Sequence, residues 1–334
     1  MTILAPRVSI VLPAYNAAST LQEAIESVLN QSLAALEVVV VDDASTDDSA
    51  HLIQQLAKQD SRVKTVFLTT NVGVHEARLA GIEHSRAEWI GFLDADDLAR
   101  PAMFETLLER VEQHQVDIAV CGSRRVRACG KPESDRVRFR HDETVESDIF
   151  RRFCAFEFGT GMVWNKLYRR SVVLPQLALH FPWRQAINED LLFNIGCFYR
   201  ARSVFLLSEQ LHDYRAHRHS VTASIEHARA FVDTYRAFAI AVQLYHDLGE
   251  TALRQITEMY RLQLSWPRYR MAKLEELADS QPALDEAMAV LLRYYPQALP
   301  MLAVRLPIAQ TAQQRWISQP LRKGLARART LFAR

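Results

Sequence analysis

Short apolar runs alternate with amphipathic segments along the first 121 residues of the chain. The runs lie at residues 8–12, 37–41, 63–68, 89–93 and 117–121. Each contains β-branched residues and is bounded by polar or turn-forming residues, which is typical of buried strands. Between the runs, apolar residues recur at helical spacing, as in Leu21, Ile25, Val28 and Leu29, and residues 74–85 are also predicted to be helical. This alternation predicts the α/β class, with βαβ units on a mainly parallel, Rossmann-like sheet flanked by helices.

The pattern becomes helical after residue 225. Apolar residues there recur at spacings of three and four, as in Phe231, Tyr235, Phe238 and Val242. Residues at this spacing share one face of a helix, and the same rhythm continues over residues 251–295. The sequence therefore predicts a catalytic domain over residues 1–225 and a helical C-terminal region over residues 226–334.

Polar side chains follow three of the predicted strands at their carboxyl ends. Residues 13–16 follow the first strand, residues 42–43 the second, and residues 94–97 the fourth. The carboxyl ends of parallel strands meet at one edge of a sheet, where open α/β folds bind ligands. We therefore expect the three clusters to converge on one binding site.

The densest cluster of charge is the sequence FLDADD at residues 92–97, which places three carboxylates within four residues. Two unit charges about 4 Å apart repel by about 4 kcal/mol at an effective dielectric of roughly 20, so such acids require solvent or a cation. Hard divalent cations take oxygen ligands, and Mg²⁺ often shares its shell with phosphates. The sequence thus indicates a metal site that holds a diphosphate. An acidic turn that caps the next helix is the alternative.

The net charge of +1 over 334 residues conceals an uneven distribution. The last acidic residue is Glu286, and the residues that follow it hold eight Lys or Arg. The first 286 residues hold 32 basic and 39 acidic residues. The chain therefore combines an acidic body with a basic tail, and its balance gives no reason to expect a nucleic-acid partner.

Cysteine usage and hydropathy both favour a cytoplasmic protein. Cys121, Cys129, Cys154 and Cys197 lack the paired spacing of a metal site and fit free thiols in a reducing compartment. The N-terminus lacks an apolar stretch of signal-peptide length, and the chain lacks a run of 18 apolar residues that would span a membrane. We expect a cytoplasmic location.

Apolar and basic side chains are interleaved in the tail. Trp316, Ile317, Leu321, Leu325, Leu331 and Phe332 lie among Arg315, Arg322, Lys323, Arg327, Arg329 and Arg334. Such a segment is typical of peripheral contact with an anionic membrane, where each basic residue contributes about 1 kcal/mol. That contact would place the protein at the inner face of the plasma membrane. A basic helix docked on the acidic body is the alternative.

Five sequence elements, taken in order, resemble the family 2 glycosyltransferases with the GT-A fold. They are VSIVLPAYNAASTLQEAIESVLNQSL, EVVVVDDASTDDS, NVGVHEARLAGI, WIGFLDADD and NEDLLF, and they extend over about residues 7–195. Each element alone is a weak signal, but their order and spacing together are specific. The chain departs from the family at Ala44 and Asp48, where glycines are usual, and at Leu79, where Asn is common.

The resemblance implies transfer of a sugar from a nucleotide-diphosphate sugar, with UDP-sugars favoured, to a hydroxyl of a glycan or lipid-linked saccharide. It implies inversion at the anomeric carbon and a role in cell-surface polysaccharide synthesis. Two other classes stay open, a non-catalytic module that binds nucleotide sugar or acts as a scaffold, and a nucleotidyltransferase. A nucleotidyltransferase would need a Gly-rich, cationic loop after the first strand, and residues 13–16 supply neither Gly nor a cation.

The resemblance also assigns residues to the donor. They are Pro13, Ala14, Tyr15, Asn16, Asp42, Asp43, Arg78, Asp94 and Asp96. The loop of the first three would flank the base, and Asp43 would accept a hydrogen bond from the ring N–H of the base. Arg78 would contact the base or the phosphates through a charge-assisted hydrogen bond. Helix capping is the alternative for Asp42 and Asp43, and a surface salt bridge is the alternative for Arg78.

The residues Asp94, Asp96 and Asp97 resemble the DxD element of the family. Asp96 would reach the ribose and a Mn²⁺ or Mg²⁺ ion, and Asp97 would contact the ion directly. The ion would neutralise the diphosphate leaving group, where negative charge builds as the glycosidic bond breaks.

Inversion requires one base on the face opposite the leaving group, and the sequence NEDLLF at residues 188–193 supplies candidates. Asp190 aligns with the catalytic carboxylate of the family and would take the proton of the acceptor hydroxyl. Glu189 would hold the acceptor. In the alternative interpretation, both acids only stabilise a helix N-terminus.

Two further segments resemble the family less closely. Asn165 and Lys166 would line the acceptor cleft and contact sugar or phosphate, unless they are surface polar residues beside a packed Trp. Arg215, His217 and His219 would contact pyrophosphate or the metal from a segment that closes over the diphosphate.

Overall fold

The computed structural model describes residues 5–127, 130–215, 225–266 and 280–298, and these residues form two compact units. A sheet-bearing unit contains the described residues of 5–149, 158–180 and 196–215. A helical unit contains residues 150–157 and 181–195 together with those described after residue 224. The domain boundary expected at residue 225 stays a prediction, and the basic tail from Arg315 to Arg334 lies outside the described residues.

Ten strands of the described chain form one sheet in the sheet-bearing unit. They are β1 (Val8–Ala14), β2 (Leu36–Asp42), β3 (Val63–Phe67), β4 (Trp89–Phe92), β5 (Leu98–Ala99), β6 (Ile118–Val126), β7 (Pro132–Val137), β8 (Glu143–Val145), β9 (Lys166–Arg169) and β10 (Val204–Arg215). Their order is β3-β2-β1-β4-β9-β6-β10-β5, with β7 paired to β6 and β8 paired to β10. All five strands expected from the sequence are present, as β1, β2, β3, β4 and β6.

The first four strands form a parallel half of the sheet. β1 pairs in parallel with β2 on one side and with β4 on the other, and β2 pairs in parallel with β3. The register places Ala14 opposite Asp42, so the loops after β1 and β2 leave the sheet side by side. β1 runs two residues further than expected. Pro13 is tolerated there because it lies beyond the pairing with β4, which ends at Val11.

The other half of the sheet is mixed. β9 lies antiparallel between β4 and β6, and β10 runs parallel to β6. The short strands β5 and β8 pair antiparallel with β10. The α/β class expected from the sequence is confirmed, but β9 and β10 were not predicted. β9 is only four residues long, and β10 begins with the apolar residues 204–207 but continues through mostly polar residues, so neither shows the β-branched runs of β1 and β2.

Helices connect the strands of the sheet-bearing unit. They are α1 (Leu21–Leu29), α2 (Ser49–Gln59), α3 (Val74–His84), α4 (Met103–Gln113), α5 (Ile149–Cys154), α6 (Arg170–Val173) and α7 (Glu189–Arg200), of which α5 and α7 extend into the helical unit. Gly81 allows α3 to approach the sheet closely, since a Cβ atom there would lie 2.4 Å from Cγ1 of Val11. This close packing holds the helix that carries Arg78 against β1.

Three longer helices make up most of the described helical unit. They are α8 (His227–Tyr245), α9 (Glu250–Leu264) and α10 (Gln281–Tyr294). The apolar residues that predicted α8 are buried, namely Phe231, Tyr235, Phe238 and Val242. The helical character expected after residue 225 is thus confirmed. In the described part of the chain, every helix is too short or too polar to cross a membrane.

Candidate active site

The loops after β1, β2 and β4 leave the same edge of the parallel half of the sheet. The N–H of Asp43 donates to the carbonyl oxygen of Ala14 at 2.8 Å, which joins the first two loops. The N–H of Leu93 donates to the carbonyl oxygen of Val11 at 3.1 Å, just before the acidic cluster begins. The predicted convergence of the three clusters on one edge of the sheet is therefore confirmed, and binding of a ligand there stays a prediction. Pro13 and Ala14 belong to the end of β1 and not to a loop.

Asn16 fastens the loop after β1 to the loop after β2. Its N–H donates to Oγ of Ser45 at 3.0 Å, and its Oδ1 accepts the N–H of Thr46 at 2.7 Å. Its backbone φ of 49° lies in the left-handed region, which Asn tolerates better than most residues. Tyr15 beside it is 49% exposed, which leaves its ring accessible to a ligand.

Asp42 and Ala44 shape the turn after β2. Asp42 is buried, and its Oδ2 accepts the N–H of Ser45 at 3.3 Å. Ala44 has a φ of 57°, in the left-handed region where glycine avoids a cost of about 1–2 kcal/mol. This geometry explains why the family usually has glycine at this position. The N–H of Ser49, the first residue of α2, donates to Oδ1 of Asp47 at 3.0 Å. Capping of α2 by Asp42 or Asp43 is therefore not observed.

The carboxylate of Asp43 connects β2 to the start of α3. It is buried and accepts the N–H groups of Val72 and Gly73, both at 2.8 Å. Gly73 immediately precedes α3 and has a φ of 97°, which favours glycine. An ionised carboxylate has about four acceptor positions, so Asp43 retains capacity for a ligand N–H. Its predicted contact with a base stays a prediction.

The three carboxylates after β4 form a compact cluster. One oxygen from each of Asp94, Asp96 and Asp97 lies within 4.8 Å of the others. Asp97 is fully buried, whereas the other two are partly exposed. Burial, together with the negative charges of Asp96 and Asp94, raises the pKa of Asp97 well above its usual value of 3.8. A bound cation would reverse this effect.

His212, which the sequence analysis missed, faces Asp97 from β10. Its Nε2 lies 3.4 Å from Oδ2 of Asp97, and neither side chain is exposed. Its Nδ1 lies 3.0 Å from Oγ of Ser123, and the ring of Trp164 stacks on it with centroids 4.1 Å apart. Burial lowers the pKa of His212 to about 3, so the ring is neutral at pH 7. The sequence signal was a single His in the polar second half of β10.

Arg78 contacts the cluster from α3. Its Nη2 donates to Oδ1 of Asp94 at 2.9 Å, and its side chain is only 5% exposed. The alternative of a surface salt bridge is therefore wrong. Arg78 is a buried cation at the edge of an acidic site.

Arg215 touches the cluster through its backbone. Its N–H donates to Oδ1 of Asp97 at 2.9 Å, while its guanidinium pairs with Glu23 on α1. The predicted contact of its side chain with a phosphate or metal stays a prediction. His217 and His219 lie outside the described residues.

Asn165 and Lys166 are buried in the sheet-bearing unit. Nδ2 of Asn165 donates to the carbonyl oxygen of Cys121 at 2.6 Å. Nζ of Lys166 donates to the carbonyl oxygen of Met162 at 2.5 Å and to Oδ1 of Asn165 at 2.8 Å. The alternative of surface polar residues is therefore wrong. Contact of either residue with a sugar or phosphate stays a prediction.

Glu189 and Asp190 are the first two residues of α7, and they belong to the helical unit. Asp190 is only 2% exposed. Asn188, directly before them, has a φ of 70°. The roles predicted for the two acids stay predictions, and their position at a helix N-terminus is also compatible with the alternative interpretation.

The acidic cluster fits a divalent cation. Three carboxylates offer oxygen donors close to one another, and these are the donors that Mg²⁺ and Mn²⁺ prefer. Within the described chain, Oδ2 of Asp97 is buried without a hydrogen bond. A buried carboxylate oxygen of this kind is a suitable ligand for a cation.

Comparison with known sequences assigns most of the sheet-bearing unit to one family. Residues 9–174 match the model described as Glycosyl transferase family 2. A protein described as the uncharacterised glycosyltransferase EpsJ of Bacillus subtilis strain 168 is 34% identical over 225 residues. The aligned part covers 65% of this chain and 63% of EpsJ, so the chain spans less than two thirds of that relative.

Comparison with solved structures extends the likeness to nearly the whole chain. The structure of Staphylococcus aureus TarS 1–349 in complex with UDP-GlcNAc matches with a TM-score of 0.69 at 20% identity and covers 97% of this chain and 92% of TarS 1–349. The mannosyltransferase PcManGT from Pyrobaculum calidifontis, in complex with GDP-Man and Mn²⁺, matches with a TM-score of 0.52 at 18% identity and covers 98% of this chain and 86% of PcManGT. These likenesses confirm the predicted GT-A fold. With this fold, its ordered motifs and the family match over residues 9–174, the chain belongs to glycosyltransferase family 2.

Proposed function

We propose that this protein is an inverting, metal-dependent glycosyltransferase that moves a sugar from a nucleotide-diphosphate sugar to an acceptor hydroxyl. One observation carries the proposal. Asp94, Asp96 and Asp97 cluster beside the buried Arg78 at the carboxyl edge of a parallel sheet. Acids that gather a divalent cation next to a fixed guanidinium suit a diphosphate, which binds both kinds of positive charge.

The donor occupies the edge where the loops after β1 and β2 meet. The accessible ring of Tyr15 stacks on the base, next to the end of β1 at Pro13 and Ala14. Asp43 accepts the ring N–H of the base through the acceptor capacity that its two backbone bonds leave. Arg78 donates to a phosphate oxygen while its bond to Asp94 fixes its direction.

Asp96 and Asp97 hold a Mn²⁺ or Mg²⁺ ion. When bound, this ion neutralises the negative charge that builds on the leaving diphosphate. The N–H of Arg215 fixes Oδ1 of Asp97, while Oδ2 faces the ring of His212 without a hydrogen bond in the described chain, so Oδ2 is the oxygen available to the ion. The partly exposed Asp96 serves as the second ligand and contacts the ribose.

Asp190 acts as the general base for the acceptor hydroxyl. A carboxylate is a weak base, but a well-placed one is sufficient because the acceptor hydroxyl acidifies only as the new bond forms. Glu189, Asn165 and Lys166 contribute to acceptor or phosphate binding, together with Arg215, His217 and His219.

UDP-sugars are the preferred donors in this proposal, since the TarS neighbour binds UDP-GlcNAc. The acceptor is a hydroxyl of a glycan or a lipid-linked saccharide, in cell-surface polysaccharide synthesis. The six basic residues of the tail from Arg315 to Arg334 bring the enzyme to the anionic inner face of the plasma membrane. Co-sedimentation with vesicles of anionic lipid, but not with vesicles of neutral lipid, tests this location.

The function is tested by measuring release of nucleoside diphosphate from a panel of nucleotide sugars, with Mn²⁺ and a mixture of glycan acceptors. We expect release from at least one UDP-sugar and its loss in Asp190→Asn, while donor binding survives. A variant that retains neither binding nor transfer would show misfolding, which its thermal midpoint reveals. Donor binding without transfer in the wild-type protein, over the whole panel, would instead support a non-catalytic module.

A further inference from the structure

Asn188 connects the first turn of α7 to the long helices of the helical unit. Its Nδ2 donates to Oγ1 of Thr234 on α8 at 2.9 Å. Its Oδ1 accepts Nε2 of Gln263 on α9 at 2.5 Å. Thr234 is fully buried and Gln263 nearly so. One side chain therefore ties the residue before Glu189 to two separate helices.

The direction of each hydrogen bond in this network is fixed. The hydroxyl of Thr234 donates to the carbonyl oxygen of Ala230 at 2.8 Å, one turn earlier in α8. Its single proton is thus engaged, so it can only accept from Asn188. Gln263 in turn offers an N–H, which requires an acceptor oxygen on Asn188. An amide satisfies both demands at once, whereas a carboxylate would lack the donor.

The backbone at Asn188 is as specific as its side chain. Its φ of 70° is in the left-handed region, which Asn adopts more readily than other residues with a Cβ atom. Its carbonyl oxygen accepts the N–H of Leu192 at 3.0 Å and so starts the first turn of α7. The carbonyl oxygen of Leu192 accepts the hydroxyl of Tyr245 from α8 at 2.8 Å. Both ends of this turn are therefore fixed by α8.

We infer that Asn188 is a positioning residue that sets the place of the Asp190 carboxylate through Thr234 and Gln263. This inference rests on the proposed role of Asp190 as the base. It gives α8 and α9 a part in catalysis beyond packing, since they hold the turn that carries Asp190. A small shift matters because misplacing a reacting group by about 1 Å can lower the rate by about 100-fold.

Two substitutions separate the side chain from the backbone. Asn188→Gly keeps the left-handed φ without strain but removes the amide. Thr234→Val keeps the shape of the side chain and removes its acceptor. We expect each variant to lower kcat by about 10- to 100-fold. The KM for the donor and the affinity for nucleoside diphosphate with Mn²⁺ are expected to change less than about twofold, because both polar groups of the Asn188 side chain are engaged by Thr234 and Gln263. Thr234→Ser, which restores the hydroxyl, is expected to restore most of kcat.

Thr257→Val is the matched control. Thr257 lies on α9 and is also fully buried. Its hydroxyl also donates one turn back, to the carbonyl oxygen of Leu253 at 2.7 Å. It does not belong to the hydrogen bonds that join Asn188 to Thr234 and Gln263. We expect Thr257→Val to lose about as much thermal stability as Thr234→Val and to leave kcat unchanged. That difference between two similar buried threonines would separate positioning from general destabilisation.

The outcomes distinguish this inference from the proposed function. If Asp190→Asn abolishes transfer while Asn188→Gly and Thr234→Val keep kcat within twofold, the positioning role is wrong and the proposed base stands. If Thr257→Val lowers kcat as much as Thr234→Val, the effect is one of stability and the inference is again overturned. If Asp190→Asn retains full activity, the proposed base itself is wrong.

Discussion

Nε2 of His212 lies 3.4 Å from Oδ2 of Asp97, and both side chains are closed to solvent. Ser123 and the stacked ring of Trp164 hold the imidazole in place from the other sides. When the hydroxyl of Ser123 donates to Nδ1, the neutral ring carries its proton on Nε2, the nitrogen that faces Oδ2 of Asp97. Partners of this kind orient the ligands of metal sites.

Replacing His212 therefore should weaken cation binding. We expect His212→Leu to lower the affinity for Mn²⁺ in the presence of nucleoside diphosphate by about 10- to 100-fold. His212→Gln keeps an N–H near the position of Nε2 and should recover part of the loss. Calorimetric titration with Mn²⁺ measures both variants. Equal affinity in wild-type protein and His212→Leu would show that Asp97 needs no such partner.

Arg78→Ala should weaken donor binding more than a surface substitution does. A hydrogen bond to a charged group contributes about 1.5–3 kcal/mol, so we expect the donor affinity to fall by about 10- to 100-fold. Arg7→Ala is the control, because Arg7 pairs with Glu112 at the surface, where both side chains are about half exposed. Titration of nucleotide sugar into each variant measures the effect. A loss of the same size in both variants would contradict a specific role for Arg78.

Ala44→Gly should stabilise the protein. Ala44 adopts a φ of 57°, which costs an alanine about 1–2 kcal/mol that a glycine does not incur. We expect the free energy of unfolding to rise by roughly 0.5–1 kcal/mol after the greater chain entropy of glycine is subtracted. Asp48→Gly is the control at the other position where the family has glycine, since Asp48 has an ordinary φ of −74°. Denaturant unfolding should show a gain for Ala44→Gly and none for Asp48→Gly.

His75 should make the stability of the sheet-bearing unit depend on pH. It is buried near the start of α3, its Nε2 donates to the carbonyl oxygen of Leu179 at 2.7 Å, and burial lowers its pKa to about 4. Because the unfolded chain takes up this proton near pH 6.5, stability is full above that pH and falls as pH drops towards 4. The loss is about 3 kcal/mol.

The variant His75→Gln isolates this contribution, since it offers a similar N–H and does not titrate. As pH falls from 6.5 to 4, the free energy of unfolding of the wild type should decrease relative to that of His75→Gln. A difference that is constant over this range would show that His75 does not carry the effect.

Much of the fold was predictable from local signals. The β-branched runs of β1 and β2 and the spacing of apolar residues in α1 specify buried strands and an amphipathic connection, and the order of strands and helices then specifies an α/β sheet. The convergence of Asp43 with the end of β1 follows from parallel pairing alone. These features depend on neighbours in sequence or on a general rule of topology.

The contacts that complete the site depend on distant partners. His212 and Asp97 are 115 positions apart, and the antiparallel pairing of β10 with β5, which places His212 opposite Ala99, brings them together. A lysine is usually found at the surface, yet three oxygen acceptors around the ammonium of Lys166 allow it to be buried. Neither arrangement leaves a periodic or compositional trace in the sequence.

The central claim is that Asp94, Asp96 and Asp97 hold a divalent cation that binds the diphosphate of the donor. It is tested most directly by titrating UDP, GDP, CDP and dTDP into the protein with Mn²⁺ and again with a chelator, for the wild type and for the double variant Asp96→Asn, Asp97→Asn. We expect at least one nucleotide to bind the wild type at least about tenfold more tightly with Mn²⁺, and we expect the double variant to lose this gain. Binding that is indifferent to Mn²⁺, or a double variant that keeps the full gain, would contradict the account.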